Sequence, residues 1–212
     1  KSWHELAAKE KKDTAQAVED EPHEPPVRLF KVAVKSKKVT RLTDNTDWIR
    51  QLFVAPDGRH AVTIHERSLR YTWDQKIKPA VFLQDLQTGE RKQLFAEPGF
   101  NIASMRWAPD AKGFFASSYF TTHPRFVFGV VVEVHFFDVA AGAPSRVELD
   151  WEKGLAAASA LAPTADGFLA LLANGAHHKA ARYTRAGDSW RREWLDGEHA
   201  GNLFELETGR DG

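Results

Sequence analysis

The 212-residue chain has no cysteine. That excludes a disulfide framework, a thiolate metal site and a cysteine nucleophile, and it fits a reducing compartment. Neither sign of charge is in excess: 29 Lys and Arg stand against 29 Asp and Glu. With no basic surplus, neither a nucleic acid nor an anionic membrane surface is an expected partner. No apolar run approaches the roughly 20 residues that a membrane-spanning helix needs. The opening stretch, KSWHELAAKEKK, lacks an initiating Met and an apolar signal core, and it reads as an internal cut.

The motifs of several common chemistries are missing as well. A nucleophile elbow needs Gly-x-Ser-x-Gly. The nearest approach, Gly187-Asp188-Ser189-Trp190-Arg191, lacks the closing glycine and falls on an expected hairpin turn. There is no Gly-rich phosphate loop, dinucleotide fingerprint or calcium-loop spacing. Nine histidines invite a metal, yet neighbours on a strand point to opposite faces. His177 and His178 are therefore poor co-ligands and are expected in an exposed loop. His60 and His65 fall on opposite sides of one strand, and His135, inside VVVEVHFF, reads as a packed or rim residue. No catalytic residue, metal or cofactor is expected in this chain.

What is there is a repeat. Apolar content of 42% and aromatic content of 11% support a core. Three times a short strand meets a Pro-containing turn and a second strand: QLFVAPDGRHAVTIHE (51–66), MRWAPDAKGFFASS (105–118) and SALAPTADGFLALL (159–172). Pro56, Pro109 and Pro163 are expected at the second turn position, where φ is already set. Gly113 and Gly167 then close looser copies of the Asp57-Gly58 turn. A second hairpin recurs around Ser36-Lys37, Thr88-Gly89, Ala141-Gly142 and Ala186-Gly187. Four antiparallel strands per 45–54 residues make a β-propeller blade. The opening strand lies nearest the channel, and Trp48 and Trp107 pack between blades. A β-sandwich has no reason for such periodic turn chemistry, and β-helix rungs are far shorter.

The expected fold is all-β: an incomplete β-propeller of about four four-stranded antiparallel blades with a short N-terminal helical insertion. The insertion covers 1–27, opening on a Ser2–Glu5 capping box and passing into EDEPHEPP. The end of a first blade covers 28–47, further blades 48–100, 101–154 and 155–200, and a stub 201–212. Two more excursions, at 67–80 and 121–129, occupy the same place in the repeat as the first and should share one rim, where repeat proteins bind. Glu66, Arg70 and Asp74 flank the second excursion. They can hold a peptide terminus by charge-assisted hydrogen bonds, or they can be solvated edge charges. An incomplete ring leaves two blade faces uncovered, so self-association, or pairing with missing segments, is expected.

Strand, Ala-Pro-Asp-Gly, strand, then FLQDLQTGERKQL (82–94) resembles the propeller repeat shared by TolB and the prolyl oligopeptidase family. RLFKVAVKSKKVTRLTDNTDWIRQLFVAPDGRHAV (28–62), behind a charged insertion, is especially similar to bacterial dipeptidyl- and acylaminoacyl-peptidase-like members. The resemblance implies a segment that covers a peptidase site, admits peptides and excludes folded proteins, in the bacterial cytoplasm or periplasm. The partners it implies are peptide substrate, the remainder of the propeller and an α/β-hydrolase domain. That domain carries the family's Ser, Asp and His, so none of them is transferred to a residue here. Among residues that hold a substrate N-terminus, Glu66 is the one candidate. The alternative is a TolB-like propeller that serves as a protein–protein interaction scaffold.

Overall fold

The computed structural model describes residues 4–5, 24–97, 99–123, 131–197 and 203–209. The strands begin with a hairpin of β1 (Phe30–Val32) and β2 (Val39–Arg41). Three four-stranded antiparallel sheets follow. The first comprises β3 (Trp48–Val54), β4 (His60–Glu66), β5 (Ala80–Asp85) and β6 (Arg91–Leu94). One helical turn, α1 (Tyr71–Asp74), sits between β4 and β5. The second sheet comprises β7 (Ile102–Trp107), β8 (Gly113–Phe120), β9 (Val131–Asp138) and β10 (Ala143–Val147). The third comprises β11 (Leu161–Thr164), β12 (Gly167–Asn174), β13 (His177–Ala186) and β14 (Ser189–Trp194). In each sheet the strands pair in chain order, and the opening strand β7 lies against both β3 and β11. The chain is all-β and folds as an incomplete β-propeller: three whole blades and one outer hairpin. The 1–27 insertion and its capping box lie outside the described residues except for His4, Glu5 and 24–27. The third excursion is described only as far as His123.

One turn opens each of the first two blades. In Ala55-Pro56-Asp57-Gly58 the Gly58 N–H donates to the Ala55 carbonyl (2.9 Å) with φ +65°. The Asp57 carboxylate accepts from the Arg59 N–H (2.8 Å), and pairing resumes at Ala55 N–H to His60 O. The second copy has the same length. Ala111, at φ +58°, takes the glycine's left-handed place, and Ala108 N–H bonds Gly113 O. Gly113 is thus not a loosened turn glycine; with Gly167 it is the first residue of the blade's second strand. A Cβ at Gly113 would strike Phe136 and the Phe137 carbonyl, and one at Gly167 would overlap the Tyr183 carbonyl. Close approach to the third strand is what requires glycine there.

Pro163 likewise stands outside its turn. It lies within β11, paired opposite Phe168, and the turn is the two residues 165–166. β11 is an edge strand, where a missing N–H costs nothing. The expected strand over 156–162 is short for a related reason. Leu155 bridges Leu172, residues 157–160 turn back through Ala160 N–H to Ala157 O, and pairing restarts at Leu161. Alanine and serine hold a pleat poorly. Residues 203–209 form no strand; Leu203 and Leu206 pack on the last blade's core.

The outer hairpins repeat as well. Gly89 (φ +80°) and Gly142 (φ +69°) each donate four residues back, to Asp85 O and Asp138 O, and Lys37 (φ +56°) does the same to Ala33 O. The Thr88 and Gln87 N–H groups, joined by the Arg59 guanidinium, hold the Asp85 carboxyl down at about 2. Alternation then divides the core. Met105, Phe114, Ala116 and Phe137 pack with Val62, Ile64 and Val81 of the preceding blade. Phe115, Val134 and Phe136 pack with Leu161, Phe168 and Ala170 of the following one. The expected packing of Trp107 between blades holds: its Nε1 donates to Phe53 O (2.9 Å), and its ring tilts on Phe114.

Candidate functional site

The β4–β5 and β8–β9 connections leave from one rim of the blades, because strand polarity repeats in every sheet. On the first blade β4 ends at Glu66, which is half-buried and paired with Arg50 Nε at 2.7 Å. The excursion is braced at its base: Arg67 donates from Nε and an Nη to Lys78 O, at 2.9 and 2.6 Å. Within it the Ser68 hydroxyl accepts from the Arg70 N–H, Arg70 caps α1, and Gln75 ends it at φ +54°. Asp74 is exposed, and its carboxylate accepts from the Lys76 N–H at 3.0 Å. Trp73 stands 85% exposed while Tyr71 is buried, and burial pushes the Tyr71 phenol pKa up. Burial likewise lowers the Lys78 ammonium. The candidates Glu66, Arg70 and Asp74 therefore occupy one excursion; Glu66 is committed to Arg50, and Asp74 to the backbone.

Beneath this rim lies a chain of buried polar groups. Gln84 Nε2 donates to Thr63 Oγ1 (3.1 Å), and Thr63 Oγ1 meets His65 Nε2 (3.0 Å). His65 Nδ1 meets Asp47 Oδ1 (2.7 Å), which also accepts from Asn45 Nδ2 (2.8 Å). Because a carboxylate only accepts, the proton on neutral His65 sits on Nδ1, and the Thr63 hydroxyl donates to Nε2. Burial lowers the His65 pKa, against the opposing pull of Asp47. Asp, His and a hydroxyl in line suggest nucleophilic catalysis, but Thr63 and His65 are fully buried, so no substrate reaches them. The network instead ties the 45–47 segment to the blade.

On the second blade a cavity of about 640 Å³ opens where β8 ends and β10 runs into the next blade. Glu133, Glu148, Asp150 and Glu152 line it, with Arg146 and the Trp151 ring. Arg146 pairs with Glu133 (3.0 Å) and Glu148 (3.5 Å). Asp150 pairs with Arg192, whose guanidinium also donates to Leu149 O and Asp150 O. Trp151 is fixed by Nε1 to Ala173 O (2.7 Å) and by an edge contact with Trp194, whose ring lies between Lys179 and Arg192. Glu133 and His135 share a face of β9 as expected, 3.9 Å apart. Burial lowers the His135 pKa, helped by Arg146. The acid-rich run ELDWE (148–152) was the sequence signal for this cavity, and reading by repeat passes over it because it lies in a linker. His177 and His178 prove to be strand residues of β13, since the preceding turn is only Gly175-Ala176; His178 Nδ1 meets Leu203 O at 3.0 Å.

Among the described residues, no three His, Cys, Asp or Glu side chains cluster to hold a metal, and no helix is long and apolar enough to cross a membrane. No protein-family model matches the sequence, and no curated protein matches it either. Solved structures do. A prolyl endopeptidase is 14% identical, with a TM-score of 0.56 over 87% of this chain and 28% of its own. Dipeptidyl peptidase 4 of Porphyromonas gingivalis is 15% identical, with a TM-score of 0.53 over 79% and 28%. Hydrazine synthase of Kuenenia stuttgartiensis is also 15% identical, with a TM-score of 0.50 over 73% and 46%. The chain thus spans less than half the length of each of these relatives. At such identities, and across such different chemistries, the likeness establishes a β-propeller and nothing narrower.

Proposed function

We propose that the chain is a non-catalytic propeller segment of a serine peptidase of the prolyl oligopeptidase family, gating peptide access to a hydrolase domain. The observation that carries this reading is the blade grammar itself. Ala-Pro-Asp-Gly in the inner hairpin and Asp-Leu-x-Thr-Gly-Glu in the outer one are the residues that carry the resemblance, and both form turns of the geometry their sequences require. The folds of a prolyl endopeptidase and a dipeptidyl peptidase support it. In this role the rim excursion with Glu66, Arg70 and Asp74 faces incoming peptide. The 212-residue chain should neither react with a fluorophosphonate nor hydrolyse a chromogenic aminoacyl substrate, whereas the full translation product of its gene should do both. Inhibitor-sensitive turnover by the chain alone overturns the reading, as does a full product with no Gly-x-Ser-x-Gly.

One observation favours the second reading, a TolB-like interaction scaffold. Trp73 stands almost free of the protein on a short helix, with Ile77 half exposed beside it. Tryptophan is enriched among the residues that carry most of the binding energy at protein interfaces. A serine-free full product, together with loss of a captured partner in Trp73→Ala, would select this alternative.

A further inference from the structure

The two junctions between whole blades share one plan, and the second departs from it at two positions. Leu86 N–H donates to Arg59 O, Val139 N–H to Lys112 O and Arg185 N–H to Asp166 O. Each acceptor immediately precedes the second strand of its blade, so Leu86, Val139 and Arg185 hold the same place. At the first junction Val139 packs on the apolar cluster shared with the preceding blade. Beside it Lys92 Nζ reaches across to Gly142 O (3.1 Å). Lys92 follows its turn glycine by three residues and pairs opposite Leu83; one repeat on, Ser145 follows Gly142 by three and pairs opposite Phe136. Ser145 is too short to cross, and its hydroxyl turns back to Phe136 O within its own sheet (3.4 Å). At the second junction, therefore, Arg185 replaces the apolar plug and Ser145 the bridging lysine.

A cavity of about 470 Å³ opens there, between the second and third blades. Arg185 lines it, with its guanidinium over the Phe136 ring of one blade (5.1 Å) and the Trp190 ring of the other (6.0 Å). Its Nε makes one long bond, to Gly187 O (3.4 Å), and neither Nη group has a partner among the described residues. The carboxylates that share the cavity are engaged elsewhere. Both Asp166 oxygens accept from Arg182 (3.0 Å each), Asp138 accepts from the Ala141 N–H, and Asp110 from the Lys112 N–H. An arginine laid on aromatic faces is already ordered, and its planar fork matches the two oxygens of a carboxylate. The three aspartates penalise any additional negative charge in the same space. The volume suits a small organic molecule, and the aromatic rings give it a flat apolar wall.

We propose that this cavity binds a single carboxylate carried on a flat apolar body. The Arg185 Nη groups donate to the carboxylate oxygens, and the body lies against the Trp190 ring. A small aromatic acid and the aromatic C-terminal residue of a polypeptide share that chemistry. A phosphate monoester does not, because its second charge faces Asp110, Asp138 and Asp166. The site stands on the blade junction alone, whether or not the protein gates a peptidase.

The probe is N-acetylphenylalanine, titrated into the full 212-residue chain and followed by calorimetry and amide shifts. It should bind saturably, shift the Gly187 amide and the Trp190 indole N–H, and bind about tenfold more tightly than its C-terminal amide or phenyl phosphate. Arg185→Val installs the residue type of the preceding blade and should abolish binding while the protein still melts cooperatively. Arg185→Lys keeps the charge, loses the fork and should weaken binding about tenfold. A tripeptide, acetyl-Ala-Ala-Phe with a free carboxylate, separates the two sources. Tighter binding than N-acetylphenylalanine assigns the site to a polypeptide end, and equal or weaker binding assigns it to a small acid. No saturable binding at millimolar concentration, equal binding of the amide, or binding unchanged in Arg185→Val would overturn the proposal. So would a preference for phenyl phosphate, or for phenethylamine, which would assign the cavity to its aspartates.

Discussion

Two small residues show how little of a side chain's role is visible in its type. Ala111 stands where the first blade has Gly58, at φ +58°, a region that costs a residue with a Cβ about 1 kcal/mol. Ala111→Gly should therefore raise stability by about 0.5–1 kcal/mol, less the extra freedom given to the unfolded chain. Gly167→Ala should do the reverse and cost more than about 2 kcal/mol, since the new methyl meets backbone that cannot yield. Denaturant midpoints measure both. His65 and His135 set the pH response. Burial holds each imidazole pKa below its free value of 6.5, so folding favours the neutral form. The stability they contribute is present above about 6.5 and is lost as pH falls through the folded values. The melting temperature should drop between pH 7 and pH 5, with a shallower slope in His135→Gln; a flat profile would show that these rings stay accessible to protons without unfolding.

At the scale of elements, strands and turns follow from short stretches, whereas the links between blades do not. Trp107 reaches back 54 residues to the Phe53 carbonyl. Trp107→Phe keeps the apolar ring and loses this one bond, for a cost of about 1 kcal/mol. Arg192 works in the same way on the linker into the last blade, joining Leu149, Asp150 and the Trp194 face. Arg192→Ala should cost about 1–3 kcal/mol through the lost carbonyl bonds and the lost stacking, and Arg192→Lys should recover only part of it, since an ammonium lacks the planar fork. Thermal melts of the three proteins test this. The blades themselves were legible in the sequence because period-two alternation and Pro-Asp-Gly turns act over a few residues. Pro163 lies in β11 and not in its turn, because a prolyl turn and a prolyl edge position look alike until the partner strand is known.

Over the whole molecule, protection should track how many faces of a blade are covered. The second blade is packed on both sides, whereas every residue of β1 and β2 is exposed. Amide exchange should therefore be slowest in β8 and β9 and fastest in the β1–β2 hairpin, by several orders of magnitude. Equal rates in the two would mean that the hairpin is held by contacts outside the described residues. The exposed rim carries Trp73 on its helical turn, and the carboxylate-lined cavity opens where β8 of the second blade ends. The sequence pointed to the rim through its excursions. Reading by repeat passes over the cavity, whose acids come from β9 and from the 148–152 run that follows β10.

By itself the sequence determined the blade: four strands, two kinds of turn and a repeat near 50 residues, all written in alternation and turn residues that are local in the chain. Only the tertiary structure decided which glycines serve packing, which histidines are sealed beside a carboxylate, and which apolar faces are left uncovered. Those depend on residues far apart in the chain, 18 positions for His65 and Asp47 and 54 for Trp107 and Phe53, and no local pattern encodes which side chain will stand opposite.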